Sequence, residues 1–495
     1  MHRCSALLVL AAFAASPSIS AALQAGPGAH SDALPNSTPE ITRAEIEHHV
    51  RFLASDELRG RFTGTEEAAR AARYLAAALR AAGVEPAGDD GTFLQRVPFE
   101  RVRAKQAPEL AVVLTTGAPF TAEFGADFDL PAGVDAATEG LRVVVVHNEG
   151  ELPATPDAHA ALFVDGNLGE RRRLLGDSGG RAWGLRVAPG RTKRGTAKST
   201  SPEWSRASAP RGAGDAWLTL NGDLLEHARA GRIASLKLTT HFEHETLPTY
   251  NVVGVLRGEG PLAKETVVLS AHYDHLHAQD DGETTSPEAG GPKDVIYNGA
   301  DDDASGCATV LELAGAFGAA PRPARTLVFL LATGEEIGLV GTNYYLDHPV
   351  RPLADTVANL NFEMLGRPDE KIGGPGKLWL TGFELTNLGA ACAGAKLDVA
   401  LDPRPEQHFF ERSDNIAFVQ RGIVGQTFST YNLHTDYHRV SDEADTLDYA
   451  HMETCARTAR AAVALVAEGQ LRPAWLEGKA PGTGRGSRRA KDGAK

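Results

Sequence analysis

Five short polar strings in this chain carry side chains that could hold metal and move protons. They are His272-Tyr273-Asp274-His275, Asp301-Asp302-Asp303 followed by Ala304-Ser305-Gly306, Glu335-Glu336, Glu363, and His434-Thr435-Asp436-Tyr437-His438 followed by Ser441-Asp442. Each has an ordinary explanation when taken alone. A His-x-Asp string is common, three aspartates before a helix can cap it and complement its dipole, and Glu-Glu after a strand is usually a solvated turn. Taken together, imidazoles and carboxylates without thiolates form a donor set suited to zinc. A spare carboxylate beside such a centre can act as a general base.

These strings must be brought together by elements that end where they begin. Predicted strands at 252–256, 267–270, 327–331 and 357–361 alternate with predicted helices at 305–317, 339–346, 387–393 and 449–467. Such alternation argues for an α/β layer with a mostly parallel sheet flanked by helices. In sheets of that kind, sites form at the carboxyl ends of the strands. His272, Glu335, Glu336 and Glu363 all follow a predicted strand directly. Upstream, the apolar spacing at 41–53 and 66–82 predicts two helices, with Gly83 as the stop of the second. Between 108 and 245 the texture changes to short apolar runs at 110–114, 141–146, 162–164, 217–220 and 233–238, separated by Gly, Pro and Asp. This predicts an inserted, mostly β domain.

The remaining features bound the class of protein. The 495 residues suffice for two or three domains, and a net charge of −14 argues against a nucleic-acid partner. The apolar run 6–15, followed by small residues, predicts a secretory signal over 1–22 and an extracytoplasmic location, periplasmic or secreted. That run is shorter than the roughly 20 residues a spanning helix needs, so stable membrane insertion is not expected. Residues 23–40 read as a flexible leader and 471–495 as a disordered basic tail. Cys307, Cys392 and Cys455 form no disulfide framework or zinc knuckle, and read as small buried hydrophobes. His241, His244 and His277 read as surface groups and His451 as packing. Oligomeric state is not legible.

The ordered motifs resemble the co-catalytic two-zinc exopeptidase family, metallopeptidase family 28, of the secreted bacterial aminopeptidase type. The likeness rests on His-x-Asp, Gly-Ala-Asp-Asp-Asp-Ala-Ser-Gly, Gly-Glu-Glu-Ile-Gly, Asn-Phe-Glu-Met and Tyr-His in that order. It extends to Leu53-Ala54-Ser55-Asp56-Glu57-Leu58-Arg59-Gly60-Arg61 and to Thr249-Tyr250-Asn251-Val252-Val253-Gly254. It implies a zinc-exopeptidase fold (phosphorylase/hydrolase-like) split into 41–107 and 246–470, with 108–245 as a protease-associated-like insert. It further implies two zinc ions per chain. His272 and Glu363 would hold the first, Glu336 and His438 the second, and Asp302, set by Asp-x-x-Ser-Gly, would bridge both. Asp274 would orient His272. Glu335 would be the general base, and Tyr437 would hydrogen-bond the developing oxyanion or else pack at the core edge. His434 would be positioned for a substrate contact. Arg412-Ser413-Asp414-Asn415 resembles a pocket segment of the family. Two departures stand out: position 363 is Glu where many members have Asp, and the loop 277–297 is long and charged.

The expected activity is removal of N-terminal residues from peptides. A carboxypeptidase acting on acidic C-terminal residues is a rival, and it would need Arg404, Arg412 and Arg421 to converge. A single-zinc cyclase acting on N-terminal glutamine would not need five ligands. A non-catalytic binding protein of the same fold would be marked by lost ligands.

Overall fold

The structure is a computed structural model that describes residues 34–35, 39–131, 133–167, 171, 183–194, 203–206, 211–212, 217–278 and 294–481. The predicted signal segment lies outside the described residues, as do most of the leader, most of 195–214, much of the loop 277–297 and the end of the basic tail.

Four parallel strands form the centre of the main sheet, in the spatial order Thr326–Ala332, Thr266–His272, Thr356–Phe362, Val424–Ser429. Antiparallel neighbours close it on both sides: Tyr250–Leu256 beside Thr326–Ala332, and Leu378–Leu380 beside Val424–Ser429. The sheet is therefore parallel at its centre, as expected, and mixed at its flanks. Every residue of the four central strands is buried, as a sheet covered on both faces requires. Alternate side chains feed two cores. Val267, Leu269, Ala271, Leu327, Phe329 and Leu331 pack with helices Arg43–Leu53, Glu66–Ala81, Gly306–Gly318 and Tyr449–Ala467. Val268, Val328, Leu330 and Ala332 pack with Val340–Asp347 and Asn415–Val419.

The four predicted strands and the helices lie where the sequence places them, to within two residues at almost every end. Local chemistry sets several of those ends. Thr42 and Thr65 accept hydrogen bonds from the backbone N–H of Glu45 and Ala68 and so cap the first two helices. Strand Val424–Ser429 was not expected. Its Gln426 and Thr427 are polar, but both are buried and hydrogen-bonded to Thr381, Gly382, Thr386 and Asn415.

The chain leaves Thr266–His272 and returns on one side as Thr326–Ala332, then crosses to the other side as Thr356–Phe362. That reversal opens a crevice at the carboxyl end of Thr266–His272, where His272 stands.

Residues 99–246 build a second nine-stranded sheet around Phe99–Leu114 and Ile233–Thr246, which pair along their lengths. It has its own core, including Leu110, Phe128, Phe163, Val187, Leu218 and Leu236. The first strand begins nine residues before the expected boundary, because Arg101, Arg103 and Lys105 mask the alternation that continues through Val102. A helix, Gly222–Arg229, also enters this core through Leu224, Leu225 and Ala228, and was not expected. Among the described residues, no helix is long and apolar enough to cross a membrane.

One buried acid in the helical layer gives a testable stability effect. Burial pushes Glu312 up to about 8, with Glu45 adding to the rise and the Thr42 N–H opposing it. Unfolded, the same carboxyl would ionise near its ordinary value of 4.5. The folded chain therefore binds the extra proton between these limits, and stability falls as pH rises across that window, by up to about 5 kcal/mol. Glu312→Gln is expected to raise Tm, with the gain over wild type growing from about pH 5 to about pH 8. Thermal melts at the two pH values check this; a gain that shrinks with pH contradicts it.

Candidate metal centre

The five strings meet at the carboxyl ends of the parallel strands. His272 ends its strand, Glu336 follows Thr326–Ala332 by four residues, and Glu363 directly follows Thr356–Phe362. Asp302 comes from the loop before helix Gly306–Gly318, and His438 from the polar loop after Val424–Ser429.

The three consecutive aspartates separate by what they face. Of the three, Asp302 faces His272 and His438: Oδ1 lies 3.3 Å from His272 Nε2, and Oδ2 lies 3.2 Å from His438 Nε2. Asp301 turns away, accepting from Gly366 N at 2.7 Å and meeting His434 Nε2 at 3.0 Å. Asp303 accepts from Gly306 N and Met364 N, tying the start of the helix to the residue after Glu363. Ser305 completes that tie, donating to Asp301 O and accepting from Leu365 N. Asp442 accepts the backbone N–H of both Asp301 and Asp302. Two glycines allow this crowding. Gly299 has φ +57°, and a Cβ there would fall 2.3 Å from Asp302 O. At Gly306 a Cβ would fall 2.3 Å from Phe362 O.

Two donor groups result, and they share Asp302. His272, Asp302 and Glu363 form one; His275, Asp302 and Glu336 form the other. His438 Nε2 also lies 3.2 Å from Glu336 Oε2. The residues expected as ligands thus lie together, and His275 lies among them. The only sequence signal for it was its place in the His272–His275 string, which does not say where the ring turns.

Whether these residues fit a metal can be judged from their unmet valences. His272 Nε2, both ring nitrogens of His275, Glu336 Oε1 and His438 Nε2 are buried without a hydrogen-bond partner. Such groups are rare and costly in a folded protein. The field agrees. Burial alone would lower His438, yet Asp302 and Glu336 raise it to about 10. Burial alone would raise Asp302, yet the adjacent imidazoles of His272 and His438 hold it well below the ordinary range. The cluster draws positive charge inward, and bound cations would displace those protons. The donor set fits zinc.

Glu335 stands beside this cluster without joining either donor group. Burial pushes its carboxyl well above the ordinary range; Glu363, Asp414 and Glu336 add to the rise, against His272. Asp274 does less for His272 than the sequence implied. The imidazole Nδ1 is 3.1 Å from the Asp274 backbone oxygen and 3.8 Å from its carboxylate. The Asp274 carboxylate instead accepts from Glu335 N and Thr63 Oγ1, and so fixes the Glu335-Glu336 turn. His434 was expected near substrate. Its ring is instead bound on both sides, to Asp301 and to Asp436 N, and supports the aspartate loop.

Arg61, within the upstream string, proves to be a brace. Its fully buried guanidinium donates to the carbonyls of Leu53, Tyr273, Asn298 and Gly299. It thereby joins the two loops that carry His272 and Asp302. The Arg fork fits such a task and a Lys would not.

A cleft opens beside Glu363, walled by Met364, Trp379, Phe409, Tyr431 and Tyr437. Tyr437 stacks on His438 with centroids 3.9 Å apart. Burial and the nearby carboxylates push its hydroxyl far upward, which keeps it a donor. The three candidate arginines do not converge here. Arg404 is buried in a fork on Asp369, Arg421 pairs with Asp347 on the surface, and only Arg412 borders the cleft. His241, His244 and His277 are exposed and His451 packs inside, as expected. The three cysteines are buried and free.

An α/β sheet carrying imidazole and carboxylate donors at its strand ends defines a metallohydrolase class of site. Comparison with known proteins finds that residues 251–463 match Peptidase family M28. The chain is 28% identical over 212 residues to a probable leucine aminopeptidase 2 of Aspergillus oryzae, covering 40% of this chain and 37% of that protein. It is 29% identical over 139 residues to Aminopeptidase YwaD of Bacillus subtilis, covering 28% of this chain and 26% of that protein. The chain thus spans well under two thirds of the length of these curated relatives. In fold it is similar to a solved aminopeptidase from Aneurinibacillus sp. strain AM-1, with a TM-score of 0.50 and 18% identity over 87% of this chain and 95% of the other.

Proposed function

We propose that this protein is a two-zinc aminopeptidase acting on peptides with a free N-terminus in an extracytoplasmic compartment. The observation that carries the proposal is the placement of Asp302, whose two oxygens face two separate donor groups. Bound there, two zinc ions would acidify a shared water and polarise the scissile carbonyl. The residues supply the rest. Glu335 takes the proton from the attacking water and delivers it to the leaving amine. The Tyr437 hydroxyl, held protonated, donates to the oxygen that gains charge.

The sign of the pocket favours an amino end over a carboxylate end. Burial, Glu363 and Asp414 raise Glu335, and burial, Asp302 and Asp414 raise Glu363; carboxyl groups gathered in this way suit an ammonium group better than a second carboxylate. With Arg404 and Arg421 engaged elsewhere, the carboxypeptidase alternative lacks its anion clamp. The aromatic cleft beside Glu363 fits a large apolar N-terminal side chain, and kcat/KM for Leu or Phe is expected to exceed that for Ala by about 10- to 100-fold. The second sheet, read as a protease-associated-like insert, would shape access to the cleft.

A peptide panel tests this proposal. Peptides with free and acetylated N-termini, with varied C-termini, would be incubated with the protein and products read by mass. Stepwise loss from free N-termini alone, abolished by a chelator and restored by zinc, is expected. Loss from C-termini, or cleavage of acetylated peptides, would overturn it.

A further inference from the structure

His275 lies three residues past His272, with no side-chain exposure. Its Nδ1 is 2.7 Å from Glu336 Oε1 and 4.0 Å from Asp302 Oδ2, yet neither ring nitrogen meets the geometry of a hydrogen bond. The ring cannot readily swing aside. It packs so closely on Gly299 that a Cβ there would fall 2.6 Å from its Cγ and Cδ2, and it lies edge-on to His438 with centroids 5.6 Å apart. A buried imidazole fixed beside two carboxylates with both nitrogens unmet is prepared for a ligand, and the ligand it faces is whatever Asp302 and Glu336 hold.

We propose that His275 is an additional protein ligand of the second metal. This rests on the two-metal reading above and extends it. The second position then has four protein groups, His275, Asp302, Glu336 and His438, whereas the first has three, His272, Asp302 and Glu363. Sites closed by four protein ligands are structural in character, and sites with three keep a position for water or substrate. The two positions are therefore unequal: the second, with four protein groups, binds the more tightly and would take the shared water only as a fifth ligand, and the first keeps the more open coordination position. His438 sits on a loop with φ +55° and is one-third exposed, so it closes a position that the buried residues have already built.

The test is metal binding, read independently of turnover. Zinc affinity would be measured by competition with a chromophoric chelator on the full chain, and cobalt(II) would be substituted so that each position can be followed by its visible absorption. Wild type should bind two ions with clearly separated affinities. His275→Ala should weaken the tighter class by about 100-fold or more and change its cobalt band, while the weaker class shifts by no more than about 3-fold. His275→Asn, which fills the space without an imidazole, guards against misfolding and should give the same pattern with a melting curve near that of wild type. Wild-type affinities and spectra in both variants would overturn the proposal and leave the two-metal reading intact. A wild-type protein that binds one ion or none would overturn both.

Discussion

Replacing Glu335 with Gln is expected to lower kcat by about 100- to 10,000-fold while metal content and KM stay near wild type. The geometry separates Glu335 from its neighbour. Glu336 turns its two oxygens toward His275 and His438, whereas Glu335 stays out of both donor groups. Its backbone is fixed by the Asp274 carboxylate, and its carboxyl is raised by burial and by Glu363, Asp414 and Glu336. A carboxyl fixed beside the donor groups and outside both of them is placed to take and return a proton. Gln keeps the shape and removes the base, so the loss should fall on the chemical step. Steady-state kinetics and metal analysis on the same preparation decide the matter. A loss of metal instead would make Glu335 a ligand, and near-normal turnover would place the base elsewhere.

Replacing Asp302 with Asn is expected to abolish both turnover and metal binding. Asp302 is the single group shared by the two donor sets, and an amide cannot supply two anionic oxygens to two cations. The effect should also appear in stability. An ion present at 100 times its Kd adds about 2.7 kcal/mol to the folded state, so chelation should lower the Tm of wild type and leave that of Asp302→Asn unchanged. The flanking aspartates are natural controls. Asp301→Asn and Asp303→Asn disturb loops held by Gly366, Gly306 and Met364, and should weaken metal binding by about 10- to 100-fold rather than eliminate it. Equal losses at all three positions would mean that Asp302 has no special place.

Much of this site was legible because its residues sit at ends of elements that the sequence marks strongly. The apolar runs before His272, Glu335 and Glu363 can only be buried strands, and the alternation with helices makes them parallel neighbours. Their carboxyl ends then have to lie together. The less legible parts share a different physical character. Strand Val424–Ser429 carries Gln and Thr where apolar residues would be expected, and it is stable because each polar side chain finds a partner from another segment. Strand Phe99–Leu114 is charged on its exposed face for half its length.

The sequence by itself determined the chemistry available and the succession of strands that carry it; the choice of Asp302 among three aspartates came from the resemblance to the Asp-x-x-Ser-Gly pattern, and the structure sets its two oxygens toward His272 and His438. Only the tertiary structure decided which of the spare groups turn inward. His275 and His434 each lie within four residues of an expected ligand along the chain. One ring is pressed toward Glu336 by Gly299, and the other is drawn away by Asp301 and Asp436. Arg404, Arg412 and Arg421 likewise look alike in the sequence, and their roles differ because Asp369 and Asp347 reach two of them. Side-chain direction after a strand ends is set by contacts with segments far along the chain, and those contacts exist only once the sheet has formed.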